Sequence, residues 1–244
     1  MIKTEKISAG SFDLNTWLFG GYEAGIITMI VGPPGSGKTN FVILAAASLA
    51  KKGKKVIFID TEGGFSPERF RQIVGDKYEE ILQNILLLEP KSFDEQKKSF
   101  EELLKRIKKK DVGLIVIDGM AMLYRLELGD AVREKEDEKI REINREMAKQ
   151  MRSLAEIARR EGIPVLITNQ VYKNFQTEEE WKSGKEAETS IVGGDLFKYW
   201  SKCIIELKNE RGKRKSILIK HRSMPEKELS FEIKDKGVFK RSWI

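Results

Sequence analysis

Gly32, Pro33, Pro34, Gly35, Ser36, Gly37, Lys38 and Thr39 follow one another in the spacing G-x-x-x-x-G-K-[ST]. Glycines in such a loop let the backbone curl until several N–H groups point at one centre, the geometry that holds phosphate oxygens. A helix opening at the end of the loop adds the partial positive charge of its N-terminus. Lys38 would then reach the β- and γ-phosphates of a nucleoside triphosphate, and Thr39 would offer a hydroxyl to Mg²⁺, with Asn40 beside them. Other polar side chains close apolar runs further along. Asp118 ends Leu114-Ile115-Val116-Ile117, the hydrophobic-then-aspartate pattern that sets a carboxylate beside the metal, directly or through water. Glu62 stands just past Asp60, and Asn169 and Gln170 close a later run. An open parallel sheet binds its ligands beyond the carboxyl ends of its strands, so these groups would converge on the phosphate loop.

The elements that must position them are legible on both sides of the loop. Residues 26–31 are an apolar, β-branched run that reads as a buried strand, and residues 41–50, rich in Ala and Leu, read as a packed helix. Further strands are predicted at 56–60, 85–88, 113–118 and 165–168. Helical patterns alternate with them at 67–74, 93–109 and 137–161. Pro67 suits a first helical turn, and Phe93, Phe100, Leu103, Leu104 and Ile107 fall on one helical face. Runs at 203–207 and 216–219 flank the turn Asn209-Glu210-Arg211-Gly212 as a hairpin, with a last short strand at 228–233. The order predicts an α/β fold: a mostly parallel sheet with helices on both faces and C-terminal antiparallel strands. No repeat or Pro/Ser-rich linker divides the chain, so residues 1–244 are expected to form a single domain.

Composition narrows the chemistry. Of 244 residues, 34% are charged and 40% hydrophobic, which allows a substantial core. No apolar signal core follows the N-terminus, and the run 41–50 is too short to span a bilayer, so a cytoplasmic protein without membrane association is expected. A lone Cys203 excludes an internal disulfide and a cysteine-rich zinc site, and a lone His221 argues against histidine acid–base or metal chemistry. The net charge of +7 is unevenly spread, because residues 198–222 hold nine basic side chains against Glu206 and Glu210. Such a cluster is either a solvated strand face or a polyanion-binding patch.

The run Asp60-Thr61-Glu62-Gly63-Gly64-Phe65-Ser66-Pro67-Glu68-Arg69-Phe70 resembles the segment after the second core strand of archaeal and eukaryotic RecA-type recombinases, closest to their short archaeal RadB branch. Ile167-Thr168-Asn169-Gln170-Val171 is similar to the strand end that opens their second DNA-binding loop, and residues 7–14 with Gly20-Gly21 to their entry segment. The resemblance covers nearly the whole chain and implies a RecA-like P-loop ATPase core that uses ATP and Mg²⁺. It implies that Glu62 orients the attacking water, that Gln170 senses the γ-phosphate, and that Arg69 stacks on the adenine. It further implies DNA, chiefly single-stranded, as ligand, and a recombinase or a Holliday-junction resolvase as protein partner. About thirty residues precede the phosphate loop, so the expectation is the short paralogue without the N-terminal helical domain, with weak ATPase activity.

Two surfaces are candidates for DNA. The loop after residue 171 carries Tyr172, Lys173, Phe175 and Trp181, but its charge up to residue 192 is net negative, and the first loop, 125 to about 136, is mixed in sign. Phosphate-tracking surfaces are normally basic, so DNA contact is expected to rely more on the C-terminal basic surface, with Lys213, Arg214 and Lys215. Period two sets Lys220 and Arg222 on one strand face, with Ile217 and Ile219 nearby, and the resemblance to RecA-like and KaiC-like ATPases implies that this pair reaches the nucleotide of a neighbouring subunit in a homo-oligomer. The alternative function is a KaiC-like regulatory ATPase that acts on protein partners without touching DNA. A small-molecule kinase fits less well, because no arginine-bearing lid separates the strands.

Overall fold

A computed structural model describes residues 5–173 and 189–241. The chain opens with β1 (Lys6–Ile7), α1 (Phe12–Trp17) and β2 (Tyr22–Glu23), then enters the sheet at β3 (Ile27–Gly32). After the phosphate loop come α2 (Lys38–Ala50), β4 (Lys55–Asp60), α3 (Pro67–Val74), α4 (Tyr78–Leu82) and β5 (Ile85–Leu88). Next are α5 (Phe93–Ile107), β6 (Val112–Asp118), α6 (Met122–Glu134), α7 (Asp137–Glu161), β7 (Val165–Lys173) and β8 (Thr189–Ile191). The chain closes with α8 (Asp195–Trp200), β9 (Ser201–Glu210), β10 (Lys213–His221), β11 (Lys227–Lys234) and β12 (Gly237–Lys240).

The main sheet runs β12-β11-β10-β9-β3-β7-β6-β4-β5, with β8 on β7, and β9, β3, β7, β6, β4 and β5 are parallel neighbours. Period two splits each central strand between two cores. Ile27, Met29 and Val31 meet α5, α6, α7 and α8 on one face, whereas Ile30 meets α2 and the N-terminal segment on the other. Coverage on both faces explains why β3 is buried along its whole length and apolar but for Thr28. The last four strands are antiparallel to one another, as expected.

Three local expectations are corrected. Residues 125–136 are not a loop: all but the last two belong to α6. Its pattern is hard to read because Leu126 and Val132 are exposed and no side chain caps its N-terminus. β7 does not stop at the Asn-Gln pair but continues to Lys173 by pairing with β8. Ile217 and Ile219 do not share an environment, since a bulge between Leu218 and Lys220 leaves Ile217 buried and Ile219 41% exposed.

Candidate functional site

The residues that could do chemistry meet at the carboxyl ends of β3, β4, β6 and β7. Parallel register places Asp60 opposite Asp118, and Val31 and Gly32 opposite Asn169 and Gln170. The phosphate loop leaves β3 at Gly32 and turns into α2 through Gly35 (φ 72°) and Gly37 (φ 109°), both left-handed. Gly37 is the N-cap of α2, so no side chain satisfies the first amides of this 13-residue helix. Ser36 Oγ is buried with no hydrogen-bond partner among the described residues. Lys38 Nζ lies folded back on the loop, donating to Gly32 O (2.9 Å) and Pro33 O (3.1 Å). Burial pulls its pKa below the ordinary lysine value, and the carboxylates of Glu62 and Asp118 partly restore it. Unfilled amides, an orphaned hydroxyl and a buried ammonium form a set of donors that fits a triphosphate.

Asp118 is the hinge of the acidic side. Its Oδ2 accepts from Thr39 Oγ1 (2.7 Å) and its Oδ1 from Thr168 Oγ1 (2.5 Å). Burial raises its carboxyl to a pKa of about 6, the two hydroxyls oppose that rise, and the charges of Asp60 and Glu62 add to it. A threonine hydroxyl locked to a strand-end aspartate is the oxygen donor pair that a hard cation such as Mg²⁺ takes. Gly64 crosses directly above the pair, where a Cβ would lie 3.2 Å from Thr39 Oγ1 and 3.3 Å from Asp118 Oδ2.

Glu62 is delivered by a loop that Asp60 pins down. The Asp60 carboxylate accepts from the amides of Glu62 (3.1 Å), Gly64 (3.2 Å) and Phe65 (2.7 Å). Thr61 Oγ1 donates to the carbonyls of Asp118 and Gly119, tying this loop to the end of β6. Gly119 (φ 86°) must lack a side chain, because a Cβ would come within 2.6 Å of Glu62 Cγ. Glu62 Oε1 then accepts from Gln170 Nε2 at 3.1 Å. Asn169 faces elsewhere: its Nδ2 donates to Val192 O, which fixes the turn before α8.

Arg69 sits on α3 close to the start of α2. Its guanidinium donates in plane to Asn40 Oδ1 (2.7 Å), Gln72 Oε1 (2.9 Å), Asp235 O (2.8 Å) and Lys234 O (2.9 Å). Asn40 is therefore a partner of Arg69, and the β11–β12 turn is clamped over α3.

Thr168, Asp60, Thr61 and Gly119 escaped the sequence reading as site residues. Thr168 stands inside the run 167–171 but was given no role of its own, whereas the pairs Asp60-Thr61 and Asp118-Gly119, at the ends of β4 and β6, were visible and their mutual contact was not.

The basic run 198–222 is divided by the fold. Arg214 pairs with Asn209, whose Nδ2 donates to Gly35 O (3.4 Å), so residues 213–215 stand at the phosphate-loop end of the sheet. Lys220 and His221 pair with Ile204 and Cys203, which lie level with Met29 and Thr28 near the other end of β3. Arg214 and His221 are seven residue steps apart along the strand, roughly 24 Å. Lys220 Nζ donates to Lys198 O (2.7 Å), and Arg222 Nε to the buried carboxylate of Glu23 (2.8 Å). Neither points at the phosphate loop of its own chain. Tyr172 is half exposed on β7 and Lys173 ends that strand, while Phe175 lies outside the described residues.

With this geometry in place, comparison with known proteins is decisive. A Rad51 family model matches residues 2–241. The chain belongs to the Rad51 family. A protein of Methanobrevibacter smithii named DNA repair and recombination protein RadB is 40% identical over 230 residues, covering 92% of each chain. The RadB of Methanococcus maripaludis strain C7 is 41% identical over 228 residues, covering 92% of this chain and 96% of its own. A crystal structure of the RadB recombinase superposes with a TM-score of 0.74 at 30% identity, covering 97% of this chain and all of that one. The RecA-like fold and the RadB-type resemblance of this Rad51-family chain thus rest on sequence and on architecture together. No helix of the described residues is long and apolar enough to cross a membrane.

Proposed function

We propose that this chain is an ATP- and DNA-binding protein of homologous recombination and DNA repair, with slow ATP hydrolysis in the isolated subunit. The observation that carries the reading is Glu62, held by Gln170 beside a phosphate loop whose Thr39 is bonded to Asp118. The amides of residues 32–39 and the Lys38 ammonium hold the triphosphate, which requires Lys38 to exchange two loop carbonyls for phosphate oxygens. Thr39 and Asp118 hold Mg²⁺, whose chemical contribution is to neutralise charge on the phosphates. Glu62 accepts a hydrogen bond from the attacking water and orients it, and Gln170 keeps the Glu62 carboxylate in place until the terminal phosphate competes for its amide. The four in-plane bonds of Arg69 leave the faces of its guanidinium for adenine. Slow turnover is the reading for an isolated subunit because Lys220 and Arg222, bonded to Lys198 O and to the Glu23 carboxylate, do not serve the phosphate loop of their own chain.

The test is ATP binding and hydrolysis by the wild type, Lys38→Ala and Glu62→Gln, with single-stranded DNA binding followed over a salt series. Lys38→Ala loses nucleotide affinity. Glu62→Gln keeps it and loses hydrolysis by about 100-fold or more. Wild-type hydrolysis rates in Glu62→Gln would overturn the assignment of the water-orienting group, and DNA binding absent at low salt would overturn the recombination role.

A further inference from the structure

β6 and β7 stop pairing just before the nucleotide site. Their last paired residues are Ile117 and Ile167, and beyond them the two chains are joined through Thr168. Thr168 is fully buried on β7, level with Ile30 of β3. Its Oγ1 donates to Asp118 Oδ1 (2.5 Å) and accepts from the Gly119 amide (2.7 Å), and its carbonyl accepts from the Met120 amide (3.0 Å). Three consecutive residues at the end of β6 thus hang on one threonine. The effect reaches both carboxylates of the site. With Thr39 on Oδ2 and Thr168 on Oδ1, the Asp118 carboxylate is held from both sides and its plane has one orientation. The Gly119 peptide, whose amide ends on Thr168, accepts Thr61 Oγ1 at its carbonyl (2.8 Å). Its Cα lies against Glu62, since a Cβ there would meet Glu62 Cγ at 2.6 Å. This peptide is the seat on which Glu62 rests.

We propose that Thr168 is a positioning residue of the nucleotide site, which orients the Asp118 carboxylate toward Mg²⁺ and fixes the seat of Glu62 together. The inference rests on the proposed ATP- and Mg²⁺-binding function and adds the residue through which its metal side and its water side are set as one. Packing alone does not call for a hydroxyl here, because valine has the same shape and suits a buried strand. Satisfying the Gly119 amide needs only an acceptor. The Thr168 proton goes instead to a carboxylate, in the stronger, charge-assisted kind of hydrogen bond. Valine at this position would leave a buried carboxylate oxygen and a buried amide each short of a partner, whereas serine keeps both bonds.

The experiment measures ADP binding to the full chain by calorimetry, with Mg²⁺ and with chelator, and ATP turnover at saturating Mg²⁺ and ATP. Thr168→Val cuts the gain in ADP affinity that Mg²⁺ provides by about ten-fold, and its affinity in chelator stays within about two-fold of the wild type. Thr168→Ser restores the gain. The kcat of Thr168→Val falls by about ten-fold or more, because the Glu62 seat shifts. Added to Asp118→Ala, where no carboxylate is left to orient, Thr168→Val changes the Mg²⁺ gain by less than about two-fold. Equal losses with and without Mg²⁺, the same loss on top of Asp118→Ala, or a wild-type kcat would overturn the inference and leave the proposed function standing. If Thr168→Val does not fold, Thr168→Cys takes its place, with a similar shape and only a weak donor. An undiminished Mg²⁺ gain in that variant overturns the inference equally. A wild type whose ADP affinity gains nothing from Mg²⁺ brings down the proposed function first, and the inference with it.

Discussion

Replacing Asp118 with Asn is expected to make the protein without bound nucleotide or metal more stable at neutral pH, although it removes a proposed metal ligand. The Asp118 carboxyl has its pKa raised from 3.8 to about 6, with burial as the largest cause and the hydroxyls of Thr39 and Thr168 opposing it. A carboxyl so perturbed binds its proton more tightly in the folded chain than in the unfolded one. Its favourable contribution is complete below pH 3.8 and is lost as the pH climbs through 6. The difference between these values corresponds to a penalty of about 3 kcal/mol above pH 7. Asparagine carries no charge to desolvate and still offers an oxygen to one threonine. Asp118→Asn is therefore expected to exceed the wild type by up to about 3 kcal/mol at pH 7.5, or about 6–12 °C in melting temperature for a chain of this length. Near pH 4 the two proteins converge. The assay is urea denaturation with chelator at several pH values, because the difference between variant and wild type cancels the titrating groups that do not interact with Asp118. A gain that does not change with pH, or a variant less stable at pH 7.5, would refute the argument that desolvation dominates. Mg²⁺-dependent nucleotide binding should weaken in the same variant.

Three further outcomes follow from the same site. Gly119→Ala forces a Cβ to 2.5 Å from Thr61 Oγ1 at a backbone φ of 86°; it should cost about 1–3 kcal/mol in denaturation and lower hydrolysis more than ATP affinity as Glu62 is displaced. Asp60→Asn puts an amide where the Glu62, Gly64 and Phe65 N–H groups now find a carboxylate. A loss of about 2–3 kcal/mol is expected, with reduced kcat, and retention of wild-type kcat would show that the loop needs no pinning. Arg69→Ala should raise the Kd for ATP by between about two- and thirty-fold. Arg69→Lys should rescue little of it, since an ammonium has neither the planar face nor the fork that holds Asn40, Lys234 and Asp235.

How far this molecule is readable from its residues depends on the distance over which each feature is encoded. The phosphate loop is contiguous from Gly32 to Thr39, and its chemistry needs only backbone freedom at Gly35 and Gly37 and a helix behind it. The strands were equally open to reading, since a buried parallel strand must be apolar on both faces. α6 escaped because three of its apolar residues, Met122, Leu126 and Val132, face outward, and α1 and β12 because six and four residues carry too little periodicity. Asp118, Glu62 and Gln170 could be named as candidates from strand-end position and resemblance, but not their bonds. Thr39 lies 79 positions from Asp118, and Gln170 lies 108 from Glu62. Such pairs exist only once strands far apart in the chain become neighbours in one sheet. The basic run from 198 to 222 shows the converse. Neighbours along an extended strand are carried apart at about 3.4 Å per residue, so what reads as one cluster of charge is, once folded, two surfaces at opposite ends of a sheet.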